Sequence, residues 1–341
     1  MKLHYIFHVF ISVFHVSSGF SVFDILSPVV SLYAEQCDSR WVTCNITGLE
    51  KVLYEKVFGQ DLAVRVILTA LKNHLSKTNH KKPLVLSFHG WPGGGKTFVK
   101  DFILEHWFRE GQRSKFVKTY FALKDFPSND KVKVDEYKMR LQEDLQEKIS
   151  LCQRSIFVFD EVDKYPPYVL DAIKPYIDYN THIDGYDYRK AIFIFMTNIG
   201  GPLISQISLQ KWLKGIDRED FKLSDFEQPI RKHSFNCEGG FYQSDLIRHH
   251  LIDYIVPFLP LERPHVKLCI ETVFREKGKV PDHVLDQTVK EILEELTFNP
   301  PEHHLYAYEG CRHIHSRVDF TIEEIQRQER KNHYSRGKNE L

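Results

Sequence analysis

The chain has 341 residues, of which 42% are hydrophobic and 13% aromatic, enough for a packed core. That length suits one large domain with a smaller companion. Lys plus Arg and Asp plus Glu both number 46, and this neutrality argues against a nucleic acid or other polyanionic partner.

The first residues read as a targeting segment. Lys2 precedes the mostly apolar run Tyr5 to Val16, and Ser17-Ser18-Gly19 offers small residues for cleavage. Residues 1–19 are therefore expected to be a signal peptide, cut near Gly19. The alternative is an uncleaved anchor, for which the run falls short of the ~20 residues of a bilayer span. Residues 20–36 form a broken apolar segment with Val22, Phe23, Ile25, Leu26, Val29, Val30, Leu32 and Tyr33. Its readings are an interfacial membrane contact and, against that, a poorly ordered terminus or a packed lead-in. The other terminus, Lys338-Asn339-Glu340-Leu341, differs by one residue from the Lys-Asp-Glu-Leu retrieval address. An entry signal at one end and a retrieval address at the other imply the endoplasmic reticulum lumen, where disulfides persist. The sequon Asn45-Ile46-Thr47 makes Asn45 a candidate glycosylation site.

Leu49 to Leu75 reads as helices broken at Phe58-Gly59-Gln60, with an apolar stripe of Val64, Ile67, Leu68, Leu71 and Leu75. Leu84 to Phe88 reads as a buried strand, and Phe98 to Leu104 as a helix. Lys115 to Phe121 reads as a second strand. Val134, Tyr137, Leu141, Leu145 and Ile149 space as one helix face. Ser155 to Phe159 and Ala191 to Met196 are near-continuous apolar strands, as expected where both sheet faces are covered. A helix is expected near Tyr168 to Asp178. Alternating strands and helices indicate an α/β fold with a doubly wound parallel sheet. Pro257, Pro260 and Pro264 mark a boundary. Beyond it, Val266, Cys269, Ile270, Val273 and Phe274 form one helix face, and Leu285, Val289, Ile292, Leu293 and Leu296 another. The expected division is a large domain over 37–260, a small helical lid over 261–320 and a polar, mobile tail over 321–341.

Between the first strand and its helix lies Gly90-Trp91-Pro92-Gly93-Gly94-Gly95-Lys96-Thr97, which satisfies G-x-x-x-x-G-K-[ST] in full. Glycines let successive backbone N–H groups converge on phosphates, and the following helix start, from Phe98, adds a favourable field. Lys96 would reach the β/γ-phosphates of ATP, and the Thr97 hydroxyl would ligand Mg²⁺. Asp160-Glu161 ends the strand Phe157-Val158-Phe159. Ligands of such sheets bind beyond the carboxyl ends of the strands. Asp160 would hold Mg²⁺ through water, and Glu161 would polarise the attacking water. Asn198, just past the strand Ala191 to Met196, would touch the γ-phosphate or that water. None of the 18 histidines falls in a complete ligand set, so no metal besides Mg²⁺ is expected.

These motifs resemble the AAA+ ATPases. Phe58-Gly59-Gln60 is similar to that family's segment near the adenine. Gly239-Gly240-Phe241, Leu251-Ile252-Asp253-Tyr254 and Val256-Pro257-Phe258-Leu259-Pro260-Leu261 resemble torsins, an AAA+ branch of the endoplasmic reticulum and nuclear envelope. Gly310-Cys311-Arg312 is similar to the torsin sensor-II motif and places Arg312 among the ATP contacts. The resemblance spans Cys44 to Phe320. It implies a Mg-ATP-dependent ATPase that remodels or chaperones client proteins in the lumen and perinuclear space, peripherally bound to the membrane and assembled as a homo- or hetero-oligomer. Thr97 stands where torsins commonly carry Asn, and Arg312 where they usually carry Lys. Both departures leave phosphate binding intact. Leu251 stands where related Clp-type unfoldases carry an arginine finger. The implied finger comes from the lumenal domain of a membrane-bound activator of the lamina-associated-polypeptide type. Arg248 nearby is either a displaced finger or a solvated surface residue. The competing class is a binding module that holds ATP with hydrolysis incidental.

The chain has 6 cysteines. The torsin resemblance implies that Cys44, in preference to Cys37, bridges to Cys152, and that Cys269 and Cys311 form a redox-responsive pair beside Arg312. On its apolar helix face Cys269 also reads as an ordinary core residue. Cys237 has no assigned role.

Overall fold

The computed structural model describes residues 34–278 and 282–339. The expected signal peptide, nearly all of the apolar segment and the last two residues of the retrieval address lie outside them. Residues Met1–Gln36 form one unit, and Cys37–Leu341 the other.

In the larger unit, α1 (Ile46–Lys56) and α2 (Asp61–Ser76) precede β1 (Leu84–His89), and α3 (Lys96–Trp107) follows it. Next come β2 (Val117–Phe121), α4 (Lys131–Leu151), β3 (Ile156–Asp160) and β4 (Ile192–Thr197). Then α5 (Gly201–Leu213) and α6 (Glu227–Asn236) lead to β5 (Tyr254–Pro257). The five strands are parallel in the order β2-β3-β4-β1-β5. Alternate residues of each strand enter different cores. Leu84, Leu86 and Phe88, with Ile156, Val158, Ile192 and Ile194, pack under α1 to α3. Val85, with Phe157, Phe159, Phe193 and Phe195, packs against the α4 stripe Val134, Tyr137, Leu141, Leu145 and Ile149. On that face the rings of Phe157 and Phe193 stack at 4.9 Å, and those of Phe159 and Phe195 at 4.8 Å. The apolar runs of the sequence are strands because both faces are covered.

The lid comprises α7 (Arg263–Lys277), α8 (Asp282–Glu295), a two-stranded pairing of β6 (Phe298–Asn299) with β7 (Tyr306–Ala307), and α9 (Ile314–Asn339). Val266, Ile270, Val273 and Phe274 of α7 meet Val289, Ile292 and Leu293 of α8 and Ile314, Val318 and Ile322 of α9. The mobile tail expected from Thr321 is therefore corrected: α9 continues through it, and buried Ile322 belongs to the lid core. The helix expected over Tyr168 to Asp178 is replaced by a tight turn at Leu170–Ile173 and one α-turn at Lys174–Ile177. Pro175 withholds a backbone donor in the middle of that stretch, which breaks a continuous helix. Among the described residues no helix is long and apolar enough to cross a membrane.

One expected bridge is corrected. Cys152 pairs with Cys37, with Cα atoms 5.3 Å apart, and Cys44 is free. Cys44 is held elsewhere because its N–H donates to the Trp107 carbonyl at the end of α3. Its sulfur lies 3.8 Å from the Arg154 guanidinium. Cys269 and Cys311 are bonded, their Cα atoms 6.2 Å apart, joining α7 to the loop before α9.

Candidate nucleotide site

β1 lies beside β4 and β5, with His89 level with Thr197 on one side and Pro257 on the other. The chain then leaves β1 to form β2, with β4 and β3 between them, so the switch in strand order opens a crevice at the carboxyl end of β1. The loop Gly90 to Gly95 fills it. Gly90, Gly93 and Gly95 have φ of 153°, 81° and 98°, which L side chains rarely adopt. A Cβ on Gly93 would lie 2.0 Å from the Glu309 carbonyl oxygen, and one on Gly90 would lie 2.6 Å from that of Phe258. Trp91 is exposed and Pro92 and Gly93 are half-buried, while Gly94 is buried. Gly95 caps α3, whose first turn presents Lys96, Thr97 and Phe98; the Phe98 ring rests 4.4 Å from Phe102.

Lys96 Nζ donates to the carbonyls of Gly90 and Trp91 and, at 3.0 Å, to Asn198 Oδ1. The phosphate-loop lysine and the β4 amide, 102 positions apart, thus share one hydrogen bond. Burial pulls the Lys96 pKa down to about 8, and Asp163 and Asp160 oppose the shift. Burial raises the Asp160 pKa, and the hydrogen bond from the Glu161 N–H opposes that shift. Asp160 Oδ1 accepts from the Glu161 N–H at 2.8 Å. Glu161 has φ 55° and pairs through its carboxylate with Lys164.

Three more side chains hold this arrangement: Asp163 and His89, which do not stand out in the sequence, and Gln60 of the segment that resembles the one near the adenine. Asp163 Oδ1 accepts from Thr197 Oγ1 and from the Asn198 N–H, both at 3.0 Å, and so fixes the peptide that aims Asn198. Its only signal was a third carboxylate soon after Asp160-Glu161. His89 is fully buried, with Nε2 2.8 Å from Ser87 Oγ and Nδ1 3.0 Å from the Ile199 carbonyl. A carbonyl can only accept, so Nδ1 carries the proton, and burial lowers the ring's pKa to about 4. Gln60 Nε2 donates to the carbonyls of Gly94 and Leu259, while its Oε1 accepts from the Leu259 N–H at 2.9 Å. It ties the segment before α2 to the phosphate loop and to the chain leaving β5.

The lid reaches the same loop. The Cys311 N–H donates to the Gly93 carbonyl at 3.3 Å, and Arg312 beside it is exposed. Leu251 is buried in the core, and Arg248 lies on the surface, 3.7 Å from Asp245. Asn45 is exposed and caps α1, its Oδ1 accepting from the Gly48 N–H at 3.0 Å.

Residues 31–159 match the family profile described as Torsin, and residues 261–321 that of the Torsin-1A C-terminal domain. A Torsin-like protein of Caenorhabditis elegans is 38% identical over 85% of this chain and 81% of its own. The chain belongs to the torsin family. A Torsin-like protein of Drosophila melanogaster is 37% identical over 85% of each chain. Among solved structures, this torsin superposes on the S. cerevisiae Hsp104-ADP complex with a TM-score of 0.54 and 17% identity. That match covers 91% of this chain and 52% of Hsp104. A second Hsp104 structure, with ATPγS and casein, gives 0.54 over 82% of this chain and 46% of the other. The torsin therefore carries the fold of the Hsp104 AAA+ domains.

Proposed function

We propose that this torsin hydrolyses Mg-ATP to remodel proteins at the endoplasmic reticulum and nuclear envelope, and that it needs an arginine from an activator to turn over. The observation that carries the reading is the 3.0 Å bond between Lys96 and Asn198, at strand ends that also present Asp160 and Glu161. A bound γ-phosphate would take Lys96 from its carbonyl partners and leave Asn198 beside the transferring group. Thr97 and Asp160 suit Mg²⁺, since burial penalises the Asp160 charge and a cation would offset that penalty. The ion would neutralise charge on the phosphates. Glu161 would polarise the attacking water once its carboxylate leaves Lys164.

Burial of Leu251 supports an external finger, because a side chain at that position faces the core. The activator is read as the lumenal domain of a lamina-associated-polypeptide-type membrane protein. A finger supplied in trans raises the rate by ~10³–10⁵ in other nucleotide hydrolases. The Glu161–Lys164 ion pair favours a second reading, in which ATP is a bound switch without turnover. Turnover assays with and without the activator domain decide between them. Activation of the wild type, lost by roughly 10²–10⁴ in Glu161→Gln with ATP binding kept, supports catalysis. Equal rates in wild type and Glu161→Gln would remove Glu161 from the mechanism.

A further inference from the structure

Arg218 stands in the tight turn Arg218–Asp220 between α5 and α6, far in sequence from every nucleotide motif. Its side chain is only 14% exposed, and it uses both edges of its guanidinium. On one edge Nε donates to the Gly59 carbonyl at 3.2 Å, and Nη2 donates to the same oxygen. On the other, Nη1 donates to the Pro260 carbonyl at 2.9 Å and to Glu262 Oε1 at 3.1 Å. Gly59 belongs to the segment read as facing the adenine. Pro260 lies in the chain joining the large domain to the lid, and Glu262 caps the first lid helix, α7.

The same junction is closed from the lid side. His265, in the first turn of α7, accepts the Glu262 N–H on Nδ1 at 3.1 Å. Its ring leaves no room on Gly59, where a Cβ would lie 2.7 Å from the ring carbon Cγ. Gly59 also has φ +68°, so segment, ring and guanidinium fit only with glycine there. A buried cation that makes four hydrogen bonds to three acceptors, on two stretches of chain distant in sequence, is too costly to desolvate for a role in local packing alone, and its planar fork fixes the angle between the segments it joins.

We propose that Arg218 is a positioning residue that sets the base-binding segment and the lid in register, so that seating of the adenine fixes the angle at which the lid presents Arg312. This rests on the ATP reading above. The segment Phe58 to Gln60 is bound on one side to the phosphate loop through Gln60 and on the other to the lid through Arg218. Glu262 carries the second half of that coupling, because its carboxylate accepts a hydrogen bond from the guanidinium at the start of the lid.

The test compares full-length wild type, Arg218→Lys and Glu262→Gln for equilibrium binding of ATP, ADP, GTP and inorganic tripolyphosphate. Lysine keeps the charge but not the two-edged fork. In Arg218→Lys, ATP and ADP affinity should fall roughly ten- to a hundredfold while GTP and tripolyphosphate affinity stay unchanged. In Glu262→Gln, where the Gly59 bonds remain, ADP affinity should hold and only the preference for ATP over ADP should shrink. A parallel fall for ATP and tripolyphosphate in Arg218→Lys, or wild-type affinities in that variant, overturns the proposal while wild-type ATP binding leaves the nucleotide reading standing. A wild type that binds no ATP would overturn that reading and the proposal with it.

Discussion

At the scale of single residues, Lys96 offers the most direct measurement. Burial holds its pKa at about 8, below the usual 10.5. Between those values the unfolded chain carries a proton that the folded chain has released. Stability from this residue therefore rises with pH across that window, and below it the buried charge is a cost. A phosphate ligand reverses the balance, since the anion favours the charged amine. ATP binding at a pH near or about one unit above 8 should therefore take up a proton, and affinity should weaken as pH climbs through that range. Calorimetry in two buffers of different ionisation enthalpy checks this. Identical heats in both would mean that Lys96 is already charged in the free protein. Lys96→Met should abolish the uptake along with most of the affinity.

At the scale of elements, the bond between Cys269 and Cys311 links α7 to the loop whose backbone touches Gly93. Cys311 is thus at once a disulfide partner, a donor to the phosphate loop and the neighbour of Arg312. Reduction should loosen the aim of Arg312. Misplacing one charge-assisted bond costs ~1.5–3 kcal/mol, or roughly ten- to a hundredfold in ATP affinity. Binding measured with and without reductant reads this directly. Cys269→Ser should behave as the reduced protein under both conditions, and a wild type indifferent to reductant would make the pair a structural staple.

What the sequence disclosed follows the same scale. Elements with strong periodicity were legible: all five residues of the α4 stripe are buried, and β1, β3 and β4 fall on the apolar runs. Strand β5 was not, because it has four residues and ends in Pro257, and its identity comes from pairing with β1. The α9 helix is not legible because its sequence beyond Ile322 is mostly polar, and Ile314, Val318 and Ile322 alone give a short apolar stripe. In the site, Lys96, Asp160, Glu161 and Asn198 announce themselves by motif. Asp163 and Arg218 do not, since each acts through groups distant in sequence that become neighbours only on folding, and Gln60 was legible only through the resemblance of its segment.

At the scale of the whole molecule, the Cys37–Cys152 bond anchors the start of the folded unit to the end of α4. Cys37 is exposed where Cys152 is buried, so the bridge ties an outlying strand of chain to the core. The expected alternative, Cys44, is already fixed to α3 by its own backbone and needs no bridge to stay there. The two assignments predict opposite mutant behaviour. The native bridge spans 115 residues, and losing a closure of that length costs about 2–5 kcal/mol. Cys37→Ser should therefore lower the thermal midpoint by several degrees, and it should leave Cys152 as a thiol that alkylates once the chain is unfolded. Cys44→Ser should leave the midpoint close to wild type, because a half-buried thiol is replaced without opening a loop. Cys37 also borders the segment expected to meet the membrane. In Cys37→Ser the chain is held to the core only from Trp41 onward, where the Arg109 N–H donates to the Trp41 carbonyl and Val42 is buried, so limited proteolysis should cut between residues 37 and 40 faster than in wild type. If Cys44→Ser is the variant that melts early and frees Cys152, the bridge belongs to Cys44 after all.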